Sequence, residues 1–259
     1  MSISPPPQLF YKEMGQGQPL VILHGLLGSL NNWQTVAKDL SASFHVILPD
    51  QRNHGRSFHS PSHSYKLLAE DLLRLLDNLQ LNNIRLVGHS MGGKAAMTFA
   101  ILFPDRISHL VVVDIAPRVY SSAQDGILDA LTRMTPEAIS SRSEADHRLA
   151  EWIPEQRVRQ FLLTNLKKRN GSGYEWRMNL QGLKSNLREL TKGIEAPAPA
   201  TVKALFIRGE RSSYVDRSDI SHIRRIFSRA IIQTIPGAGH WVHADAPEEF
   251  THAVREFLL

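Results

Sequence analysis

Short, almost uninterrupted apolar runs recur along the chain, and they constrain its fold more than any other feature. They are Pro19-Leu20-Val21-Ile22-Leu23, Phe44-His45-Val46-Ile47-Leu48, Arg85-Leu86-Val87, Leu110-Val111-Val112-Val113, Ala204-Leu205-Phe206-Ile207 and the strand-like Ile231-Ile232-Gln233-Thr234-Ile235. Strands this apolar are buried on both faces. Most are separated by segments with helical spacing; in Ser64 to Leu79 the residues Leu67, Leu68, Leu72, Leu75, Leu76 and Leu79 make one apolar stripe. Strands alternating with amphipathic helices predict an α/β fold, a mostly parallel central sheet with helices on both faces and right-handed crossovers. In such sheets ligands sit at the carboxyl ends of the strands.

About ninety residues separate the fourth run from the fifth, far more than a crossover needs. The spacing there is helical and shows no strand pattern. The expected organisation is therefore a core domain of residues 1–117 and 201–259 with a helical cap, 118–200, inserted into it. Ala196-Pro197-Ala198-Pro199-Ala200 reads as the stiff connector back to the sheet.

Composition narrows the chemistry. The chain of 259 residues has no cysteine, so disulfides, thiolate metal sites and cysteine nucleophiles are excluded. Its net charge of +5 is spread along the sequence rather than gathered in a block, which argues against a nucleic-acid partner. No apolar run approaches the roughly 20 residues of a membrane helix. Met1 to Pro7 carries neither a basic nor an apolar leader pattern, and a cytoplasmic location is expected.

Gly88-His89-Ser90-Met91-Gly92 follows one apolar run and precedes the helical Lys94-Ala95-Ala96-Met97-Thr98-Phe99. A G-x-S-x-G sequence between strand and helix is a nucleophile elbow: a tight turn holds the serine hydroxyl out, and side chains at the flanking glycines would clash. Ser90 is the candidate nucleophile, with the Met91 N–H at the helix start as one oxyanion donor. His24-Gly25-Leu26-Leu27-Gly28, after an earlier strand, supplies the second donor, the Leu26 N–H.

Among the 12 histidines, His240 in Gly237-Ala238-Gly239-His240-Trp241 follows the last strand, where a triad of order serine, acid, histidine places its base. His24, His54, His89 and His243 lie near motif loops and read as packing or hydrogen-bonding residues; His45, His109, His147, His222 and His252 read as surface or element-edge residues. Asp114 and Glu210 both stand at strand ends, and neighbouring strands lie only ~4.8 Å apart, so position alone leaves the acid open between them. Asp216 and Asp219 read as helix-start residues.

These motifs resemble the α/β-hydrolase family over essentially the whole chain. His24-Gly25, then Asp50-Gln51-Arg52-Asn53-His54-Gly55-Arg56-Ser57, the Ser90 elbow and Gly237-Ala238-Gly239-His240 occur in the family's order and spacing. Arg52-Asn53-His54-Gly55 and Ser90-Met91-Gly92-Gly93-Lys94 are similar to the YbfF-type bacterial esterases. Most of the family carries its acid three residues after the glycine ending the seventh strand, where this chain has Ser212. The YbfF-like group carries it after the sixth strand, which implies Asp114 and places the cap after that strand.

The resemblance implies a serine carboxylesterase acting through Ser90, His240 and Asp114 on a small-molecule ester, with no metal or cofactor required. A cap rich in leucine, with Trp152, Phe161 and Trp176, suits short to medium apolar acyl chains. The segment Arg157 to Arg169 holds Arg157, Arg159, Lys167, Lys168 and Arg169 without one acid; it suits either an acyl-CoA thioester or the solvated face of a cap helix. A C–C bond hydrolase or lyase on the same scaffold and a non-catalytic ligand-binding protein are the alternatives. Oligomeric state is not legible in the sequence.

Overall fold

The computed structural model describes residues 7–121 and 125–259, so most of the Met1 to Pro7 stretch and residues 122–124 of the expected cap lie outside the described residues. Its sheet has seven strands: β1 (Tyr11–Met14), β2 (Gln18–Leu23), β3 (Phe44–Pro49), β4 (Ile84–His89), β5 (Ile107–Val113), and, after an insertion, β8 (Lys203–Gly209) and β9 (Ala230–Ile235). The spatial order is β1-β3-β2-β4-β5-β8-β9. Only the β1–β3 pair is antiparallel.

The apolar runs are the strands, and their alternation splits them between two cores. In β5, Leu110 and Val112 join one buried cluster while Val111 and Val113 join the other. The first face is covered by α2 (Tyr65–Asn78) and α3 (Met91–Leu102). The second is covered by α1 (Gln34–Leu40) and the C-terminal α11 (Pro247–Leu258). In α2 four residues of the expected stripe, Leu68, Leu72, Leu75 and Leu76, are buried, while Leu67 and Leu79 are only partly so; the Ser64 hydroxyl caps the helix by accepting the Leu67 N–H.

Between β5 and β8 the chain forms α4 (Asp125–Arg133), α5 (Arg142–Ala150), α6 (Gln156–Leu163), α7 (Leu180–Ser185) and α8 (Leu187–Thr191). It also forms a hairpin of β6 (Leu166–Lys168) and β7 (Tyr174–Trp176), which the sequence reading did not anticipate. Three-residue strands are too short to display an alternation, and the turn needs Gly171 and Gly173 at φ 108° and 76°. The insertion shares its core with the first face of the sheet: Leu128, Leu131, Leu149, Leu162 and Leu183 belong to the same buried cluster as the α2 leucines.

The strand count is corrected too. Among the described residues the insertion follows the fifth strand in chain order, one fewer than the sequence reading counted; residues 7–10 are not in a strand, with the Phe10 N–H taken by the Ser57 hydroxyl and its carbonyl by the Asp50 N–H. After β8 come α9 (Asp219–Ile226) and, beyond β9, the short α10 (Val242–Asp245) that leads into α11. Asp219 opens α9 as expected, and its carboxylate also pairs with Arg118 at 3.1 Å.

Candidate active site

Ser90 stands between β4 and α3 with φ 53° and ψ −117°, a strained conformation for a residue with a side chain. The glycines around it explain how the turn closes. A Cβ on Gly88 would lie 2.2 Å from the Gly92 carbonyl oxygen, and one on Gly92 would lie 2.5 Å from the His24 carbonyl oxygen. The strain is fixed by neighbours: the Ser90 N–H bonds the Val113 carbonyl at 3.0 Å, and its own carbonyl accepts the Lys94 N–H at 3.1 Å.

His240 and Asp114 meet across the carboxyl ends of β5 and β9. The His240 Nδ1–H donates to Asp114 Oδ2 at 2.8 Å, which leaves Nε2 as the acceptor. Asp114 is fully buried at φ 50°. Its Oδ1 accepts the Gly209 N–H at 3.0 Å, and its Oδ2 also accepts the Ser212 hydroxyl. Ser212, three residues after the glycine that ends β8, thus bonds the carboxylate that stands at the end of β5. Glu210 points elsewhere: its exposed carboxylate accepts the Gly237 N–H at 2.8 Å and braces the loop before His240. Of the two carboxylates left open by strand position, Asp114 contacts the His240 imidazole and Glu210 contacts the Gly237 N–H.

The Tyr214 ring stacks on His240 with centroids 3.8 Å apart and planes 18° from parallel. Sequence reasoning missed this residue, since nothing in Arg211-Ser212-Ser213-Tyr214 marks a tyrosine that will fold back over a distant imidazole. The His240 carbonyl accepts the His89 Nε2–H at 2.9 Å, fixing the backbone that carries this imidazole.

The loop Gly25 to Gly28 is held by neutral histidines. The His24 Nδ1–H donates to the Gly25 carbonyl, and His24 Nε2 accepts the Gln51 N–H at 3.0 Å. The His54 Nδ1–H donates to the Arg52 carbonyl, and His54 Nε2 accepts the Leu27 N–H at 3.1 Å. Burial, partly offset by the bond to Gly25, lowers the His24 pKa to about 4; burial and then the neighbouring His24 lower that of His54 to about 3. Leu27 sits at φ 59°, and a Cβ on Gly25 would lie 3.4 Å from Ser90 Cβ, so the loop approaches the elbow closely. The Asp50–Ser57 motif thus supports the Leu26 loop from behind. His63, which the sequence reading passed over, is buried beside it, with Asn53 Nδ2 3.2 Å from its Nδ1.

Two cavities meet at Ser90, Leu26 and Tyr214. The larger, about 400 Å³, is mostly apolar, lined by Trp33, Ile127, Val158, Phe161, Leu162 and Trp241, with His240 at its edge. The smaller, about 210 Å³, is more polar, with Met91 at its floor and Tyr65, Lys94, Arg118 and Tyr120 around it. Of the three cap aromatics singled out in the sequence, Phe161 lines the larger cavity, whereas Trp152 is 39% exposed and Trp176 is half-buried in the hairpin.

The basic segment is not one helix face. Helix α6 ends at Leu163, and Lys167 and Lys168 lie on β6. Most of its cations have carboxylate partners: Arg157 with Asp245, Arg159 with Asp146 at 2.9 Å, Lys167 with Glu175 at 3.0 Å and Arg169 with Glu137 at 3.9 Å.

Residues 18–247 match the family model described as alpha/beta hydrolase fold. The chain is 40% identical over 252 residues to the sn-1-specific diacylglycerol lipase ABHD11 of Danio rerio, covering 94% of this chain and 79% of that protein. It is 37% identical over 241 residues to the esterase YbfF of Escherichia coli, covering 93% of this chain and 92% of that one. Among solved structures, a marine microorganism esterase superposes with a TM-score of 0.95 at 40% identity, over 97% of this chain and 99% of that chain. An elbow serine, a histidine bonded to a β5 aspartate and matches of this length agree: the chain belongs to the α/β-hydrolase family, on its YbfF-like esterase branch.

Proposed function

We propose that the ester hydrolysis of this α/β-hydrolase runs through an acyl-enzyme on Ser90. The Ser90 hydroxyl attacks the ester carbonyl while His240 Nε2 takes its proton. The Asp114 carboxylate holds the Nδ1–H tautomer and stabilises the imidazolium that forms. The N–H groups of Leu26 and Met91 receive the oxyanion of the tetrahedral intermediate. His240 then returns the proton to the leaving alcohol, and in the second half-reaction it takes a proton from the water that attacks the acyl-enzyme. The observation that carries this reading is the 2.8 Å bond between His240 and buried Asp114, with Ser90 and His240 lining the same cavity.

Residues 118–200 act as a cap in this proposal, with Phe161 from α6 covering the larger cavity. That cavity suits an apolar acyl or alcohol group, in keeping with short to medium chains. Carboxylic esters stand ahead of acyl-CoA thioesters, since the cations that suggested a CoA site are largely engaged by carboxylates. The cytoplasmic setting expected from the sequence goes with this reading.

Labelling with a neutral fluorophosphonate, followed by intact-protein mass, tests the nucleophile. One adduct that disappears in Ser90→Ala, together with turnover of 4-nitrophenyl butyrate, is the expected result. Absence of labelling in a folded wild-type protein would favour a ligand-binding role. Turnover confined to diketones would favour C–C bond cleavage.

A further inference from the structure

The smaller cavity beside Ser90 is lined by a buried lysine that has no carboxylate partner among the described residues. Lys94 lies in the first turn of α3 and is 1% exposed. Its ammonium donates to the carbonyls of Arg118 at 2.9 Å and Lys192 at 2.5 Å. These carbonyls belong to the two stems of the insertion, which are bonded to each other: the Ile194 N–H reaches the Pro117 carbonyl at 2.7 Å, and the Tyr120 N–H reaches that of Thr191 at 3.0 Å. The ammonium is therefore locked in place with two of its three hydrogens used.

The groups around it do not neutralise it. The Tyr65 and Tyr120 rings face Nζ at 5.6 and 4.8 Å, and Arg118 brings a second cation whose own partner is Asp219. Among the described residues no carboxylate pairs with Lys94. Burial first, and the Arg118 charge second, lower its pKa to about 7. A buried cation in this state is costly, and an anion placed beside it recovers much of that cost.

We propose that the 210 Å³ cavity is a subsite for a carboxylate carried on a short arm of the ester substrate, held by the remaining N–H of Lys94 and by Arg118, while the apolar remainder occupies the larger cavity. The substrate class is then an ester with one apolar and one short anionic side. This rests on Ser90 as the nucleophile between the two cavities. Arg118 is balanced by Asp219, so Lys94 carries the selectivity.

Two matched pairs of esters test it. Benzyl hydrogen glutarate against the benzyl ester of glutaric monoamide puts the carboxylate, or its neutral isostere, on the acyl side. The phenylacetyl ester of 4-hydroxybutyrate against that of 4-hydroxybutyramide puts it on the alcohol side. In at least one pair, kcat/KM at pH 6.5 should favour the carboxylate by about tenfold or more. The ratio should fall as pH rises through 7 to 8.5 and Lys94 loses its proton. In Lys94→Met the ratio should collapse to near unity, whereas Lys94→Arg should keep a preference that no longer falls with pH. Ratios near unity in both wild-type pairs would overturn the subsite, as would a preference unchanged in Lys94→Met. Labelling of Ser90 and turnover of the neutral amides report on the nucleophile separately, so loss of both would indict the Ser90 reading instead.

Discussion

Asp114 does at residue scale what chain position alone left undecided. Two bonds besides that to His240 hold its carboxylate, which leaves the end of β5 at a φ of 50°. Glu210 instead accepts the Gly237 N–H from an exposed position. Asp114→Asn should therefore lower kcat on 4-nitrophenyl butyrate by about 10²–10⁴, because an amide cannot hold the Nδ1–H tautomer. Glu210→Gln should stay within about threefold of wild type, as expected for an exposed hydrogen bond. Side-by-side kinetics of the two variants check this, and the opposite ranking would transfer the acid role to Glu210.

Tyr214 and Lys94 belong to the same scale and were not legible as site residues. An imidazole-stacking tyrosine and a lysine directed at two backbone carbonyls depend on contacts from chain segments far away in sequence.

The elbow and the loop that faces it behave as one element pair. Gly92 lies against the Leu23 and His24 carbonyls, and Gly25 lies against His89 and Ser90, so β2 and the start of α3 interlock through missing side chains. Gly92→Ala should push backbone against backbone, where nothing flexible can yield. The expected loss is about 2–3 kcal/mol of stability, read from the urea midpoint, together with loss of Ser90 labelling as the elbow shifts. An alanine variant with wild-type midpoint and labelling would refute the packing account.

Elements also mark where periodicity fails as a guide. The β6–β7 hairpin is too short to leave an alternation, and it divides a basic run that looked like one helix face. Four of the five cations of that run pair with carboxylates on α5, α10, the hairpin partner strand and the 136–138 turn.

On the scale of the whole molecule, the site region is packed with neutral, buried histidines. Burial lowers His24 to about 4, His54 and His243 to about 3 and His63 to about 2, and holds His89 well below its ordinary value. In the unfolded chain each takes up a proton near 6.5, whereas in the folded protein it does so only far below that. The unfolded state therefore binds more protons below pH 6.5, and stability falls as pH falls. The slope is up to about 1.4 kcal/mol per pH unit for each histidine. Urea midpoints should drop steeply between pH 6.5 and 5, beyond the gentler slope of about one proton that Lys94, lowered to about 7, contributes above pH 7. His63→Gln should reduce that slope by about one proton, and an unchanged slope would show that His63 is not held neutral.

The sequence alone determined the layered α/β architecture, because doubly buried strands and amphipathic helices leave few other ways to bury apolar surface. It also determined the elbow and the loops that bear Leu26 and His240, because a turn that tight admits only glycine at its flanks. Tertiary structure alone decided which carboxylate meets the imidazole, that the cavities on either side of Ser90 differ in polarity, and that most cap cations are neutralised. Those outcomes depend on distances of a few ångströms between side chains that lie on different elements, up to more than a hundred residues apart, and local spacing carries no record of them.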